Sequence, residues 1–229
     1  MGGSNSFHKD HAIRTGNIAL IKRHFSLRPW LVKKINIASY DAKGSTALHL
    51  AAEYGQEEMC ALLVERGADP EVGMLDTKDK NKSKGTAGSI TPLGSALLCQ
   101  STVYKKVNLK SQKNIIKALV GAGGKINSKT HDGSYMLLLC ERISTHYDKG
   151  VEDIAVYCFD TFPIEILDAE RERWGMVAKM VVDKECNQLQ DRLAQVGIVF
   201  VGKDLPAAVE DGMKDKECKE ANAMPVGTA

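Results

Sequence analysis

Nothing in this sequence marks it by charge: 31 basic residues face 29 acidic ones across 229 positions, leaving a formal net charge of +2. A balance so near neutrality lacks the basic face that a dedicated nucleic-acid binder needs, so nucleic acid is not expected as a partner. The basic runs Lys78 to Lys84 and Lys105 to Lys113 fall in loop-like stretches, where lysines are ordinarily solvated. There is no C-x-x-C pair and no cluster of histidines, which removes a zinc site from consideration. No apolar run is long enough to span a membrane, and no basic-then-apolar leader opens the chain. Nucleophile elbow, phosphate loop, paired metal ligands and Cys-His signature are likewise missing. The sequence therefore predicts no catalytic residue, no metal and no cofactor.

What is present is an ordinary globular composition, 43% apolar and 26% charged. A compact fold of this length buries roughly 70% of the surface exposed by the unfolded chain, so no cross-link is needed for stability. The cysteines Cys60, Cys99, Cys140, Cys158, Cys186 and Cys218 are scattered, and five sit in apolar, helical-looking contexts. Reduced cysteine behaves there as a small hydrophobe, which suggests a reducing, cytoplasmic setting. The opening Met1-Gly2-Gly3-Ser4-Asn5-Ser6 satisfies the loose pattern for N-myristoylation at Gly2, though a flexible start or a glycine-serine cloning remnant explains it better.

Internal self-similarity decides the architecture. The segment Asp41 to Asp69 contains Gly44-Ser45-Thr46-Ala47-Leu48-His49-Leu50-Ala51-Ala52-Glu53-Tyr54-Gly55, then Met59, Leu62 and Leu63, then Gly67-Ala68-Asp69. Thr46 can cap a helix whose apolar face, Leu48, Ala51 and Ala52, is narrow enough for close approach by a neighbour. Gly55 permits a tight turn into a second helix, and Gly67 stands where a left-handed cap is wanted, with Pro70 just beyond. This order of residue types resembles a complete ankyrin repeat. The resemblance implies that His49 bonds backbone near the adjoining hairpin rather than taking part in catalysis.

The pattern recurs in weaker form. Thr91-Pro92-Leu93-Gly94-Ser95-Ala96 resembles the family's T-P-L-H-x-A opening, and Ile115, Ile116, Leu119, Val120 and Gly123 resemble its second helix and cap. Spacings longer than the usual period of about 33 residues imply two insertions, one over Leu75 to Ser89 and one around Ser101 to Ser111. His131 to Cys140 opens a further copy, with a second helix over Val151 to Phe159. Ala12 to Phe25 reads as an N-terminal capping repeat. Ala47 stands in place of the usual proline, and Gly94 and Leu138 in place of the usual histidine.

The expected organisation is all-α: a flexible N-terminus over 1–9, an irregular ankyrin-repeat solenoid of about four repeats over 10–162, C-terminal helices over 163–206 and a mobile tail over 207–229. Ile164 to Lys184 and Glu185 to Val196 read as helices with Trp174, Val177, Met180, Val181, Leu189 and Leu193 on apolar faces, forming a terminal cap or a small accessory domain. Ile198 to Gly202 reads as a short strand or a buried extended piece.

The family resemblance implies a protein-binding module, an adaptor or scaffold, whose partner docks on the concave surface. Carried over by position, that surface comprises Ala42, Lys43, Ser45, Glu53 and Tyr54 in the best repeat, Ile90 and Leu98 in the next, and His131, Asp132, Ser134, Arg142 and Ile143 in the last. An exposed Tyr54 would supply a large contact area, while the alternative has it packing against a neighbouring helix end. The insertion Leu75 to Ser89 is either a recognition loop or disordered. Two other readings stand beside this one. Insertion-rich arrays on short chains are similar to effectors of intracellular pathogens, which would place the protein in a host cytosol. An enzyme would use Cys140 with His146, Cys99 with His131, or the region Pro163 to Gly202 with Asp168, Glu170, Glu172 and Trp174.

Overall fold

The computed structural model describes residues 10–27, 44–75, 88–98, 108–145 and 148–198. Nearly all regular structure among them is helical: α1 (10–14), α2 (Ile18–Leu27), α3 (Ala47–Glu53), α4 (Glu57–Glu65), α5 (Pro92–Leu97), α6 (Leu109–Gly121), α7 (Tyr135–Thr145), α8 (Lys149–Thr161), α9 (Arg171–Asp183) and α10 (Asn187–Gln195). A single 3-10 turn, Asp168–Glu170, precedes α9. The one sheet among the described residues is a two-stranded antiparallel hairpin, β1 (Lys129–Thr130) with β2 (Gly133–Ser134), in which Lys129 faces Ser134 and Thr130 faces Gly133.

The helices form consecutive antiparallel pairs that stack in two layers, α3 on α5 on α7 on α9 and α4 on α6 on α8 on α10. Each layer follows from composition. In α3 every residue from Ala47 to Ala52 is buried, because the helix is flanked on several sides and its alanines admit α5 at close range. The second-layer helices bury one stripe only, such as Met59, Cys60, Leu62 and Leu63 in α4 and Ile115, Ile116 and Leu119 in α6. Polar side chains cap the starts. Thr46 accepts from the His49 N–H, Thr91 from Gly94, Asn108 from Lys110 and Asp148 from Gly150.

One turn is used repeatedly. Within the pairs, Gly16, Gly55 and Glu185 adopt positive φ (70°, 67° and 57°), and the following N–H reaches the carbonyl five residues back: Asn17 to Ala12, Gln56 to Ala51, Cys186 to Val181. The second helices end in the same way at Gly67, Gly123 and Gly197. Twelve residues separate Gly55 from Gly67, and twelve separate Glu185 from Gly197. The pair α9–α10 is therefore built like the best-matched pair and stacks on α7–α8 without a break. As a fifth stacked pair it ends, among the described residues, at Ile198. Helix α9 starts at Arg171 rather than Ile164, and residues 163–167 instead form the extended link between units four and five. The second helix of the third pair begins at Leu109, so the excess length there falls on 99–107, outside the described residues. Residues 1–9, 199–202 and 207–229 also lie outside them.

The third unit corrects its missing histidine from its neighbour. A Cβ at Gly94 would lie 2.5 Å from ring carbons of Tyr135, the first residue of α7. The Tyr135 hydroxyl accepts from the Thr91 N–H at 2.9 Å and donates to Thr91 Oγ1 at 3.0 Å. In the second unit the equivalent Thr46 N–H is held by the Nδ1 atom of His49, from the same helix. The ring of Tyr135 thus fills the space left by glycine and performs the bond that the histidine performs elsewhere. Further along, buried Glu170 accepts from the Ser134 N–H at 2.7 Å and the Ser134 hydroxyl at 2.6 Å, joining unit five to unit four. Arg173 adds a bidentate pair with Glu141 (2.8 and 2.7 Å), which solvent screening limits to about 1 kcal/mol or less.

Two outcomes follow for urea denaturation. Gly94→Ala and Tyr135→Phe each cost about 1–3 kcal/mol, the first by overpacking and the second by leaving the Thr91 N–H buried without an acceptor. Glu185→Gly raises stability by about 0.5–1 kcal/mol, since glycine adopts positive φ without the Cβ penalty; no gain would mean that the turn is not strained.

Candidate protein-binding groove

The segments leading into α3, α5 and α7 form successive fingers beside the first layer of helices, tied by backbone bonds. Leu75 N–H reaches the Gly44 carbonyl (2.9 Å), Met74 N–H the Ile90 carbonyl (2.9 Å) and His131 N–H the Gly88 carbonyl (3.3 Å). The pairing of Met74 with Ile90 closes the base of the long insertion; the residues 76–87 beyond it lie outside the described set.

His49 fixes this arrangement. Its Nδ1 accepts from the Thr46 N–H at 3.1 Å, so the ring proton sits on Nε2 and donates to the Ile90 carbonyl at 2.9 Å. A buried side chain in α3 thereby holds the base of the next finger, the backbone role that the resemblance implied for it.

Between the second and third fingers opens a groove of about 320 Å³. Met74, Leu75, Ile90 and Leu138 give it an apolar floor, all half-buried, and His131 and Asp132 stand exposed at its rim in the turn of the β1–β2 hairpin. The His131 imidazole lies over Gly88, where a Cβ would come within about 3.0 Å of the ring. Half-buried apolar groups flanked by exposed polar ones suit a site that receives side chains rather than one that performs chemistry.

The structure sorts the expected contact residues into three groups. Ile90, His131 and Asp132 converge on the groove. Ser45, Ser134 and Ile143 are buried, at 2%, 4% and 0% exposure, and are corrected to core positions: Ser134 is committed to Glu170, and Ile143 packs in the core from the buried side of α7. Glu53, Tyr54, Leu98 and Arg142 lie at the far ends of the first-layer helices and are half-buried. Tyr54 lies under the Arg14 guanidinium, 5.3 Å from the ring centroid, and accepts a hydrogen bond from it at 3.2 Å. Arg142 donates to the Leu98 carbonyl at 3.1 Å. Both bridge neighbouring units, so their replacement would loosen the stack. Ala42 and Lys43 lie outside the described residues. Met74 and Leu138 were missed: the insertion hides the finger containing Met74, and Leu138 reads only as a departure from the expected histidine.

The residues weighed for an enzyme have structural occupations. Cys140 is fully buried, and burial pushes its thiol up, away from the reactive thiolate. Cys60 is pushed up by the same cause, and Cys158 to about 12. Asp168 pairs with Arg171 (2.7 Å), Glu170 holds Ser134, and Trp174 is a core side chain edge-on to Phe159. Cys99 and His146 lie outside the described residues. Among those described, no group of three or more His, Cys, Asp or Glu is placed to hold a metal ion, and no helix is long and apolar enough to cross a membrane.

Stacked helical hairpins with fingers along one side define a repeat solenoid. Residues 10–74 match the family model for ankyrin repeats (3 copies), and the fold is an all-α ankyrin-repeat solenoid. No curated protein matches the chain.

The buried thiols give the array a defined alkaline response. Cys158 titrates near 12 when folded against an ordinary value of 9.0, so between those values the unfolded chain releases a proton that the folded chain keeps. Its contribution is intact below pH 9 and declines as pH rises toward 12. A urea midpoint measured from pH 8 to pH 10.5 should fall, and Cys158→Ala should flatten that part of the slope attributable to this thiol.

Proposed function

We propose that this chain is a protein–protein interaction module, an adaptor or scaffold, that takes its partner in the groove between the second and third fingers. Ankyrin repeats are in general protein-interaction modules. The observation that carries the location is the convergence of Ile90 and Leu138 on the floor with His131 and Asp132 on the rim. A partner inserting an apolar side chain there buries it against four apolar residues while the rim supplies polar contacts, the arrangement of an interface core with its surround. We further infer a cytoplasmic protein without enzymatic activity; its four described free cysteines, all buried, support the reducing setting. Gly2, where an N-terminal acyl chain would attach, lies outside the described residues.

The test is affinity capture from several lysates read by mass spectrometry, with two variants. His131→Ala combined with Asp132→Ala alters only exposed positions, so the thermal midpoint should hold while the captured partner is lost. Lys117→Ala, an exposed change on α6 in the other layer, should leave capture intact. Capture unaffected by the double change, or lost equally with Lys117→Ala, would overturn the groove.

A further inference from the structure

A second cleft, of about 600 Å³, shares no lining residue with the first. It lies between the end of α6 with the rising limb of the third finger on one side and the extended link 162–167 on the other. Val120, Phe162, Pro163 and Leu167 supply apolar walls, none of them fully buried, and the exposed lysines Lys125 and Lys129 stand at its edge.

Several of its backbone groups are already bonded, among them the Lys125 N–H, which donates to the Glu71 carboxylate at 2.9 Å. The Asn127 amide spans the cleft's base, donating to the Pro163 carbonyl at 2.9 Å and accepting from the Glu165 N–H at 3.1 Å. At the end of α6, the Leu119 and Val120 carbonyls accept from the Gly124 and Gly123 N–H groups. No acidic side chain lines the cleft, and neither lysine makes an ion pair among the described residues. What stays open is apolar surface with two exposed lysine side chains at its margin, Glu71 lying behind Lys125 outside the cleft's lining.

We propose that this cleft is a separate docking site for an extended peptide segment that carries a bulky apolar side chain flanked by carboxylates. The apolar side chain packs against Phe162, Pro163 and Leu167, and the carboxylates meet Lys125 and Lys129. The rigid amide bridge of Asn127 holds the two walls at fixed separation, so the site exists before the peptide arrives and little ordering cost falls on the chain. The site is independent of the concave groove and stands whether or not that groove takes a partner.

The experiment uses the full chain, isotopically labelled, and follows backbone amide shifts by NMR during titration with three probes. These are a hexapeptide of glutamates around a central leucine-phenylalanine pair, the same peptide with lysines in place of glutamates, and inorganic phosphate. The acidic peptide should shift the amides of 124–129 and 164–167. Its affinity should fall about tenfold in Lys125→Glu combined with Lys129→Glu, and it should weaken as salt is raised. Both lysines are exposed, so an unchanged thermal midpoint will show that the variant is folded. Three results would overturn the proposal: no shift at these amides, equal binding by the lysine peptide, or the same shifts from phosphate, which would make the lysines a simple anion site.

Discussion

Each helix pair in this chain has apolar side chains on two opposed faces and cannot bury both by itself, so the architecture depends on contact between neighbouring pairs. The contact between α3 and α5 shows what makes that possible. Helix α3 contributes the buried Ala47, Ala51 and Ala52 and α5 the buried Ala96, and helices lined with such small residues approach closely. The second-layer helices use larger residues, Leu62, Leu63, Ile116 and Leu119. Helix α10 buries Leu189 and Leu193 and presents Gln188, Asp191 and Gln195 outward.

Apolar stacking sets adjacency but not register, and a different polar bond supplies register at each interface. Gln56 and Tyr54 engage Arg14 between units one and two, His49 reaches Ile90 between two and three, Tyr135 reaches Thr91 between three and four, and Glu170 reaches Ser134 between four and five. All involve groups that would go unsatisfied if the neighbour slipped by one residue. Because a buried unpaired donor or acceptor costs about 1–3 kcal/mol, each bond penalises misalignment more than it rewards alignment.

How far the sequence discloses this depends on whether a residue acts within its own unit. Thr46, His49, Gly55 and Gly67 do, and their roles can be read from the order of residue types in a single stretch. Tyr135 does not: its service to Thr91, 44 residues earlier, is visible only when the two are brought together, so Gly94 reads as a defect rather than as room made for a ring. The fifth unit is hidden for another reason. Its turn uses Glu185 where the first two units use Gly16 and Gly55, and Val177, Val181 and Val182 stand where α3 has Ala47, Ala51 and Ala52, so the spacing survives while the residue types do not. The groove was partly legible. Ile90, His131 and Asp132 stand at positions the family exposes, whereas Ser45, Ser134 and Ile143 share those positions in one unit but are covered by a neighbour in this one.

The same buried bonds explain why the groove's shape is separable from its chemistry. Its floor contains Ile90, whose carbonyl is fixed by His49 from unit two, and Leu138, which α7 carries one turn after Tyr135. The Tyr135–Thr91 bond holds α7 against the start of α5, and thereby sets the distance between Ile90 and the third finger. Width is thus decided in the core together with the backbone bonds of the hairpin tip, His131 N–H to the Gly88 carbonyl and Arg173 to the Asp132 carbonyl, while the His131 and Asp132 side chains stand exposed. On the proposed reading, exchange of the tip side chains would alter what the groove recognises without altering whether it is there. Exchange of Tyr135 would do the opposite, moving the walls while leaving every contacting side chain in place. If the groove takes a partner as proposed, a site divided in this way would change partner by substitution at its rim alone, and the core that shapes it need not change.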